Sequence, residues 1–149
     1  MSIEYVYGNT LVDTLLAKNL LNGLEQLYPE FEYWYTNKAM PDIILGNTKL
    51  ILAKDCGRVI GVGIGKKDEE ETKLRCIRVA PEYQKKGVGI RLIERSLILL
   101  DCDKPVCTVA EEMFHDFSRP FINEFDFDVT RVEKGMYRKG KLEYVFNKH

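Results

Sequence analysis

The chain has 149 residues, 45% hydrophobic and 30% charged, proportions that fit one globular domain and exclude a disordered chain, collagen or a coiled coil. At this length folding hides roughly 68% of the surface an unfolded chain exposes, so a core forms without metal or disulfide staples. With 22 Lys and Arg against 23 Asp and Glu the net charge is −1; no bulk field recruits nucleic acid or an anionic membrane, and an anion site has to be local.

From Thr10, an N-cap residue, Leu11, Leu15, Leu16, Leu20, Leu24 and Leu27 recur at helical spacing until Tyr28-Pro29 interrupts them. The pattern predicts an amphipathic first helix. An aromatic and acidic stretch, Pro29 to Tyr35, precedes a second helical piece around Asn37 to Leu45, closed by Gly46-Asn47. From Lys49 the period changes to two: Leu50 to Ala53 reads as a strand, Asp55-Cys56-Gly57 as a turn and Arg58 to Ile64 as the hairpin partner. Lys66 to Glu71 is a charged loop, and Thr72 to Val79 a third strand ending at Ala80-Pro81. A helix follows from about Gly87 to Leu100, with Ile93, Ser96, Leu97 and Leu100 on one face. Val106 to Ala110 is a buried strand, Phe114 to Phe125 a short helix despite Pro120, and Val129 to Lys139 with Leu142 to Asn147 a closing hairpin turned at Lys139-Gly140. The order predicts an α/β fold in a single domain over residues 1–149: a mixed β-sheet with a bulged central strand and flanking helices.

Cys56, Cys76, Cys102 and Cys107 show no CxxC spacing and have only His115 and His149 to join them, so no metal site is expected. The opening Met1-Ser2-Ile3-Glu4-Tyr5 has no basic and apolar leader pattern, and no apolar run approaches the roughly 18 residues of a membrane span. The expectation is a cytoplasmic protein with free thiols.

Along Leu74-Arg75-Cys76-Ile77-Arg78-Val79 the apolar alternation slips by one residue, as a β-bulge near Cys76 would make it do. A bulged strand leaves backbone N–H and C=O groups free for an extended ligand carrying amides; a central strand buried on both faces fits the same six residues. Next, Gln84-Lys85-Lys86-Gly87-Val88-Gly89 opens a helix with no Ser, Thr, Asp or Asn to cap it. Lys85 and Lys86 also put positive charge at the positive end of the helix dipole, a repulsion of ~0.3 to 1 kcal/mol each unless an anion sits there. A phosphate reverses both penalties, and Gly87 and Gly89 remove the Cβ atoms that would hold it off; a solvated basic turn with glycines for tight packing is the other reading. Gly61-Val62-Gly63-Ile64-Gly65-Lys66-Lys67 fails the dinucleotide fingerprint, with Lys66 where Gly is needed, and the P-loop, with no Gly-Lys-Ser or Gly-Lys-Thr. It reads as a glycine-rich strand and hairpin end.

The run Ile77-Arg78-Val79-Ala80-Pro81-Glu82-Tyr83-Gln84-Lys85-Lys86-Gly87-Val88-Gly89 resembles the acetyl-CoA-binding motif of the GNAT superfamily of N-acetyltransferases: a bulged strand, then Q/R-x-x-G-x-G/A, then a helix. Gly57 to Gly61 resembles the preceding strand of that family and Val106 to Phe127 the strand and helix that follow, so the resemblance spans about residues 48–147. The first 45 residues match only in being helical. The resemblance implies that main-chain groups of Ile77 and Val79 bind the pantetheine arm, and that the amides of Gln84, Lys85, Lys86, Gly87, Val88, Gly89 and Ile90 hold the pyrophosphate. Coenzyme A offers an amide-bearing arm and an anion in that order. The implied activity is direct transfer of an acetyl or other small acyl group from acyl-CoA to a primary amine, through a tetrahedral intermediate and without metal, with residues 1–47 as the acceptor side. A coenzyme A-binding regulatory or interaction module without catalysis is the alternative, and an α/β interaction domain binding no cofactor is a third.

Family members often carry, after the fifth strand, Asn, a small residue three later, Phe-Tyr and Gly-Phe; here the places hold His115, Ser118, Phe121-Ile122 and Asp126-Phe127. By that resemblance His115 takes the cofactor-contact place of the Asn, though a surface histidine fits equally. Ile122 stands where the family tyrosine protonates the departing thiolate. Thiols of pKa near ~8.5 leave readily, and water or Tyr137 is the candidate acid. An amine of pKa ~10.4 costs roughly 4 to 5 kcal/mol to deprotonate at pH 7. Some relatives place a glutamate on the bulged strand, where this chain has Lys73; Glu71, two residues earlier on the same face, is the candidate base, and a solvated acidic loop, Asp68-Glu69-Glu70-Glu71, the plainer reading. Glu30, Glu32, Tyr33, Trp34 and Tyr35 suit a cationic amine or form core under a loop. The acceptor, small molecule or protein, stays open, as does monomer or homodimer, which the closing hairpin could form by pairing.

Overall fold

The computed structural model describes residues 2–149. A strand that the sequence reading does not contain opens the fold: Ile3–Gly8 (β1) pairs antiparallel with Thr48–Asp55 (β2) along its whole length. Its partner lies more than forty residues away, and the short run IEYVYG carries no local signal that outweighs a loop.

Thr10 then caps helix α1 (Leu11–Leu21) in a reciprocal box: its Oγ1 accepts the Asp13 N–H at 3.1 Å while the Asp13 carboxylate accepts the Thr10 N–H at 3.2 Å. The helix stops six residues short of the leucine pattern, and Leu24–Gln26 forms a separate short turn after Gly23, at φ 94°. Its buried face is Thr14, Ala17 and Leu21, whereas Leu11 (55% exposed), Leu15 and Leu16 face outward. Tyr35 selects that face: its buried hydroxyl donates to the Thr14 carbonyl at 2.7 Å, which only the small-residue stripe lets approach. The second helical run begins earlier than Asn37, as α2 (Phe31–Trp34), a wider turn Tyr35–Ala39 and α3 (Met40–Leu45), ended by Gly46 at φ 89°.

β2, β3 (Arg58–Lys67) and β4 (Thr72–Val79) complete an antiparallel sheet in the order β1-β2-β3-β4. Helices cover both faces, which is why β2 reads as an unbroken apolar run. Leu50, Leu52, Val62 and Ile64 meet Ala17, Leu21, Tyr35 and Ile43 on one side. Ile51, Ala53 and Ile60 meet Val88 and Leu92 of α4 (Val88–Leu100) on the other. The glycine-rich run is β3 itself. A Cβ at Gly61, Gly63 or Gly65 would come within 2.9 Å of Leu92 Cδ1, 2.9 Å of Ser96 Oγ or 2.6 Å of Leu100 Cδ1, so the three glycines let α4 lie directly on the strand.

β5 (Cys107–Ala110), β6 (Val129–Lys134) and β7 (Leu142–Phe146) form a second antiparallel sheet in the order β5-β7-β6. β6 ends at Lys134, not Lys139, because Gly135 (φ 81°) and Gly140 (φ 74°) open a longer connection. Between β5 and β6, α5 (Phe114–Ser118) widens into the turn Arg119–Glu124 at Pro120. Phe121, Phe127 and Phe146 pack there with Val109 and with Ile93 of α4. The two sheets touch through a single parallel bridge, Lys73 to Val106, with Leu74 N–H donating to the Val106 carbonyl (2.9 Å) and Val106 N–H to the Thr72 carbonyl (2.8 Å). Past it β4 and β5 separate. The four cysteines are free, and among the described residues no helix is long and apolar enough to cross a membrane.

Candidate active site

The register of β3 with β4 jumps from Ile64↔Cys76 to Gly65↔Leu74, leaving Arg75 as the extra residue of a bulge. Its guanidinium lies over the Trp34 ring, 5.7 Å from the centroid. The bond from Ala80 N–H to the Ile60 carbonyl (2.8 Å) sets the phase of the ladder. By strict alternation Arg78 and Cys76 then bond to β3, and Ile77 and Val79 turn their N–H and C=O groups toward the open side. That open side is a cleft of about 1410 Å³ between β4 and β5, reaching from the start of α4 to the closing hairpin.

Val79 is partly engaged within the chain, since Gln84 Nε2 donates to its carbonyl at 3.0 Å. After the turn Pro81–Tyr83 the backbone takes positive φ at Lys85 (62°) and Gly87 (84°), on either side of Lys86. Such alternation converges successive N–H groups into an anion-binding concavity. Gly87 is the N-cap of α4 and no side chain caps it; among the described residues the amides of 85–90 find no acceptor in the chain. A Cβ on Gly89 would meet only Val79 Cγ2, at 3.8 Å, so the protein has room for a side chain there and the space lies in the cleft.

Of the candidate catalytic and cofactor-binding residues, Glu71, Ile77, Val79, Gln84, Lys85, Gly87, Gly89, Ile90, His115 and Tyr137 all line this one cleft. Two do not. The Val88 side chain is core, 2% exposed, leaving only its main chain at the helix start. Lys86 lies over the Tyr83 ring, 5.8 Å from its centroid, and adds charge from outside. Glu71 is held by Lys73 at 2.9 Å, with Lys148 at 3.9 Å; the Lys73 bond keeps its carboxyl below the usual range, which weakens it as a proton acceptor. Tyr137, half exposed on the rim, meets Tyr28 edge-on at 5.2 Å. Exposed Ile122 is not part of the lining. From the aromatic stretch Glu30 and Trp34 reach the cleft, Glu32 pairs with Lys18 at 3.7 Å, Tyr33 is exposed and Tyr35 is core. Tyr28, which the sequence reading uses only as a helix stop, lines the cleft, and Glu143 of the closing hairpin is buried near it. A glutamate alternating with Val145 on an inward strand face is the signal that could have found Glu143.

Comparison with known families identifies an acetyltransferase (GNAT) domain over residues 46–125. The chain belongs to the GNAT acetyltransferase family. It is an acyltransferase, and its mixed α/β architecture is that of the family. No curated protein matches the sequence. Among solved structures the GNAT fold is shared with an acetyltransferase of Desulfovibrio desulfuricans (16% identity, 97% of each chain, TM-score 0.79). It is shared too with the PaiA N-acetyltransferase of Thermoplasma acidophilum in complex with coenzyme A (18% identity, 100% of each chain, TM-score 0.69). A third is the ribosomal-protein-S18-alanine N-acetyltransferase of Escherichia coli (15% identity, 96% of this chain and 92% of that one, TM-score 0.70).

Proposed function

We propose that this GNAT acetyltransferase moves an acetyl or other small acyl group from acyl-CoA directly to a primary amine on a small molecule or a protein. One observation carries the reading: the outward main-chain groups of Ile77 and Val79 run straight into the uncapped amides of residues 85–90. An amide-pairing edge followed by an anion cradle is the order coenzyme A needs, and the coenzyme A complex of the PaiA relative supports it. The unpartnered amides, the adjacent Lys85 and Lys86, and the space a Gly89 Cβ would take all fit a diphosphate. Acyl-CoA supplies an activated thioester carbonyl.

The protein's part is binding, orientation and charge. Ile77 and Val79 hold the pantetheine amides as a neighbouring strand would, with Gln84 giving up the Val79 carbonyl. N–H groups near the Arg75 bulge polarise the carbonyl. His115 contacts the coenzyme from α5, and Tyr137 on the rim donates a proton to sulfur. Residues 1–47 supply the acceptor side, where Glu30 beside Phe31 and Trp34 suits a cationic amine.

Acetyl-CoA is expected to raise the melting temperature, and bulky residues at Gly87 and Gly89 to abolish the rise. A screen of amines with a thiol-detecting dye then reads transfer. An unchanged melting temperature removes the coenzyme site; binding without amine-dependent thiol release removes the transfer.

A further inference from the structure

Glu143 is 3% exposed, and neither of its carboxylate oxygens has a hydrogen-bond partner among the described residues. Buried polar groups without partners are rare in native proteins and each calls for an explanation. Alternation along β7 puts Glu143 on the same face as Val145, which lines the cleft, and opposite Tyr144 and Phe146, which stack on Phe114. Ala110 of β5 and Glu133 of β6 stand directly across the ladder. The Tyr28 phenol lies beside the Ala110 backbone, within electrostatic reach of both Glu143 and Cys76, next to the bulge. Tyr28 therefore lines the cleft and lies close to the buried Glu143.

Of the other acids around Glu143, Glu133 is half-buried across the ladder and the rest are committed. Glu111 accepts the Leu142 N–H at 2.7 Å, and Glu112 holds Arg138 through two bonds of 2.7 Å. Arg138 stays with Glu112 and does not close on Glu143. Glu71 is tied to Lys73. In this cluster Glu143 is the fully buried carboxylate with both oxygens free to take a proton.

We infer that Glu143 is the proton acceptor for the acceptor amine, reached through the Tyr28 hydroxyl. The inference rests on the acyl-transfer reading above. The amine nitrogen bonds to the thioester carbonyl carbon, the C–S bond breaks and the sulfur leaves as thiolate. One N–H proton passes to the Tyr28 oxygen as the hydroxyl's own proton passes to Glu143, which ends as a carboxylic acid. Tyr137 protonates the thiolate and is reprotonated by solvent, which later recovers the proton from Glu143, so the products are amide and free thiol. Tyr28 is the catalytic residue and Glu143 acts through it. Tyr28 is near enough to lower the Glu143 carboxyl, yet no hydrogen bond of ordinary geometry closes on either carboxylate oxygen; catalytic hydrogen bonds are often long until substrate tightens them. Burial pushes the Glu143 carboxyl up to about 7; Arg138 and Tyr28 pull it down, while Glu112 and Glu111 raise it. A base of that strength is about half ionised at neutral pH and still basic enough to work.

The test measures thiol release from acetyl-CoA across about pH 5.5 to 9, with spermidine, benzylamine, lysine methyl ester and an alanine-starting peptide as amines, for wild type, Glu143→Gln and Tyr28→Phe. In wild type log kcat/KM is expected to rise with a slope near two below about pH 7, where amine and Glu143 both lose protons, and near one from there to the pKa of the amine used. Glu143→Gln is expected to show a slope near one up to the pKa of the amine. Its kcat falls about 10²-fold at pH 8, by a factor that shrinks as pH drops, and Tyr28→Phe shows the same loss. Coenzyme-dependent thermal stabilisation is retained in both variants. A carboxyl raised in the folded state loses stability as pH climbs from its ordinary range through about 7, so Glu143→Gln is expected to melt at or above wild type at pH 8. A profile unchanged by Glu143→Gln overturns the inference and leaves the transfer standing. So does a Glu143→Gln protein that melts far below wild type, because the carboxylate is then structural. Coenzyme binding with no release to any amine at any pH overturns the transfer reading and this inference with it.

Discussion

Replacing Gly89 with Ala separates what the fold asks of this position from what the cleft asks. Gly89 is the second residue of α4 and its φ is not in the left-handed region. An added Cβ meets only Val79 Cγ2, at an ordinary 3.8 Å. Alanine is worth about 0.5–1 kcal/mol over glycine in a helix, so the variant is expected to be more stable by that amount. For a chain of this size the melting temperature then rises by about 1–4 °C. The same methyl projects into the space before the uncapped amides, where the proposed diphosphate would sit. If it weakens acetyl-CoA tenfold, the stabilisation at a concentration of 100 wild-type dissociation constants falls from about 2.7 to about 1.4 kcal/mol. Differential scanning fluorimetry over a titration of acetyl-CoA reads both effects, which have opposite signs. Gly87→Ala is the contrast: at φ 84° it strains the backbone, and ~1–2 kcal/mol of stability should be lost before any ligand is added. Because the motif accepts Gly or Ala here, the deciding variant is the larger Gly89→Leu: a folded Gly89→Leu protein that keeps the full acetyl-CoA shift would refute the placement of the anion at this helix start.

Two further perturbations test the scaffold. Glu112, bonded twice to Arg138, has its carboxyl held at about 2. Its contribution to stability is therefore present above the usual carboxylate range and lost as pH falls toward 2; Glu112→Gln should flatten that part of a stability–pH curve followed by circular dichroism and leave the region above pH 5 unchanged in slope. Gly65→Ala puts a Cβ 2.6 Å from Leu100 Cδ1 and 3.2 Å from the Lys73 carbonyl, so α4 must lift from β3 at a cost of about 1–3 kcal/mol, read as a lower urea midpoint with an unchanged m-value.

Much of the cleft was legible in the sequence because its signals are local. The bulge at Arg75 appears as a slipped alternation within six residues, the α4 start as missing capping residues beside two lysines, and the turn as glycine at a position that takes φ 84°. Each depends on the chain within a few residues of itself. The glycine run of β3 was legible as strand, although its reason, contact with Leu92, Ser96 and Leu100, lies on α4.

The amino-acid order alone determined the period of each segment, the caps and the main-chain chemistry at residues 75–90, since steric limits and hydrogen-bond spacing act between near neighbours. Only the tertiary structure decided which face of α1 goes inward, that Ile3–Gly8 is a strand, that β4 and β5 part after Lys73, and that Glu143 is buried near Tyr28. Those outcomes turn on groups far apart in the chain, where a leucine competes with a threonine whose carbonyl receives the Tyr35 hydroxyl, and where the exposure of a carboxylate depends on which strands and rings close around it.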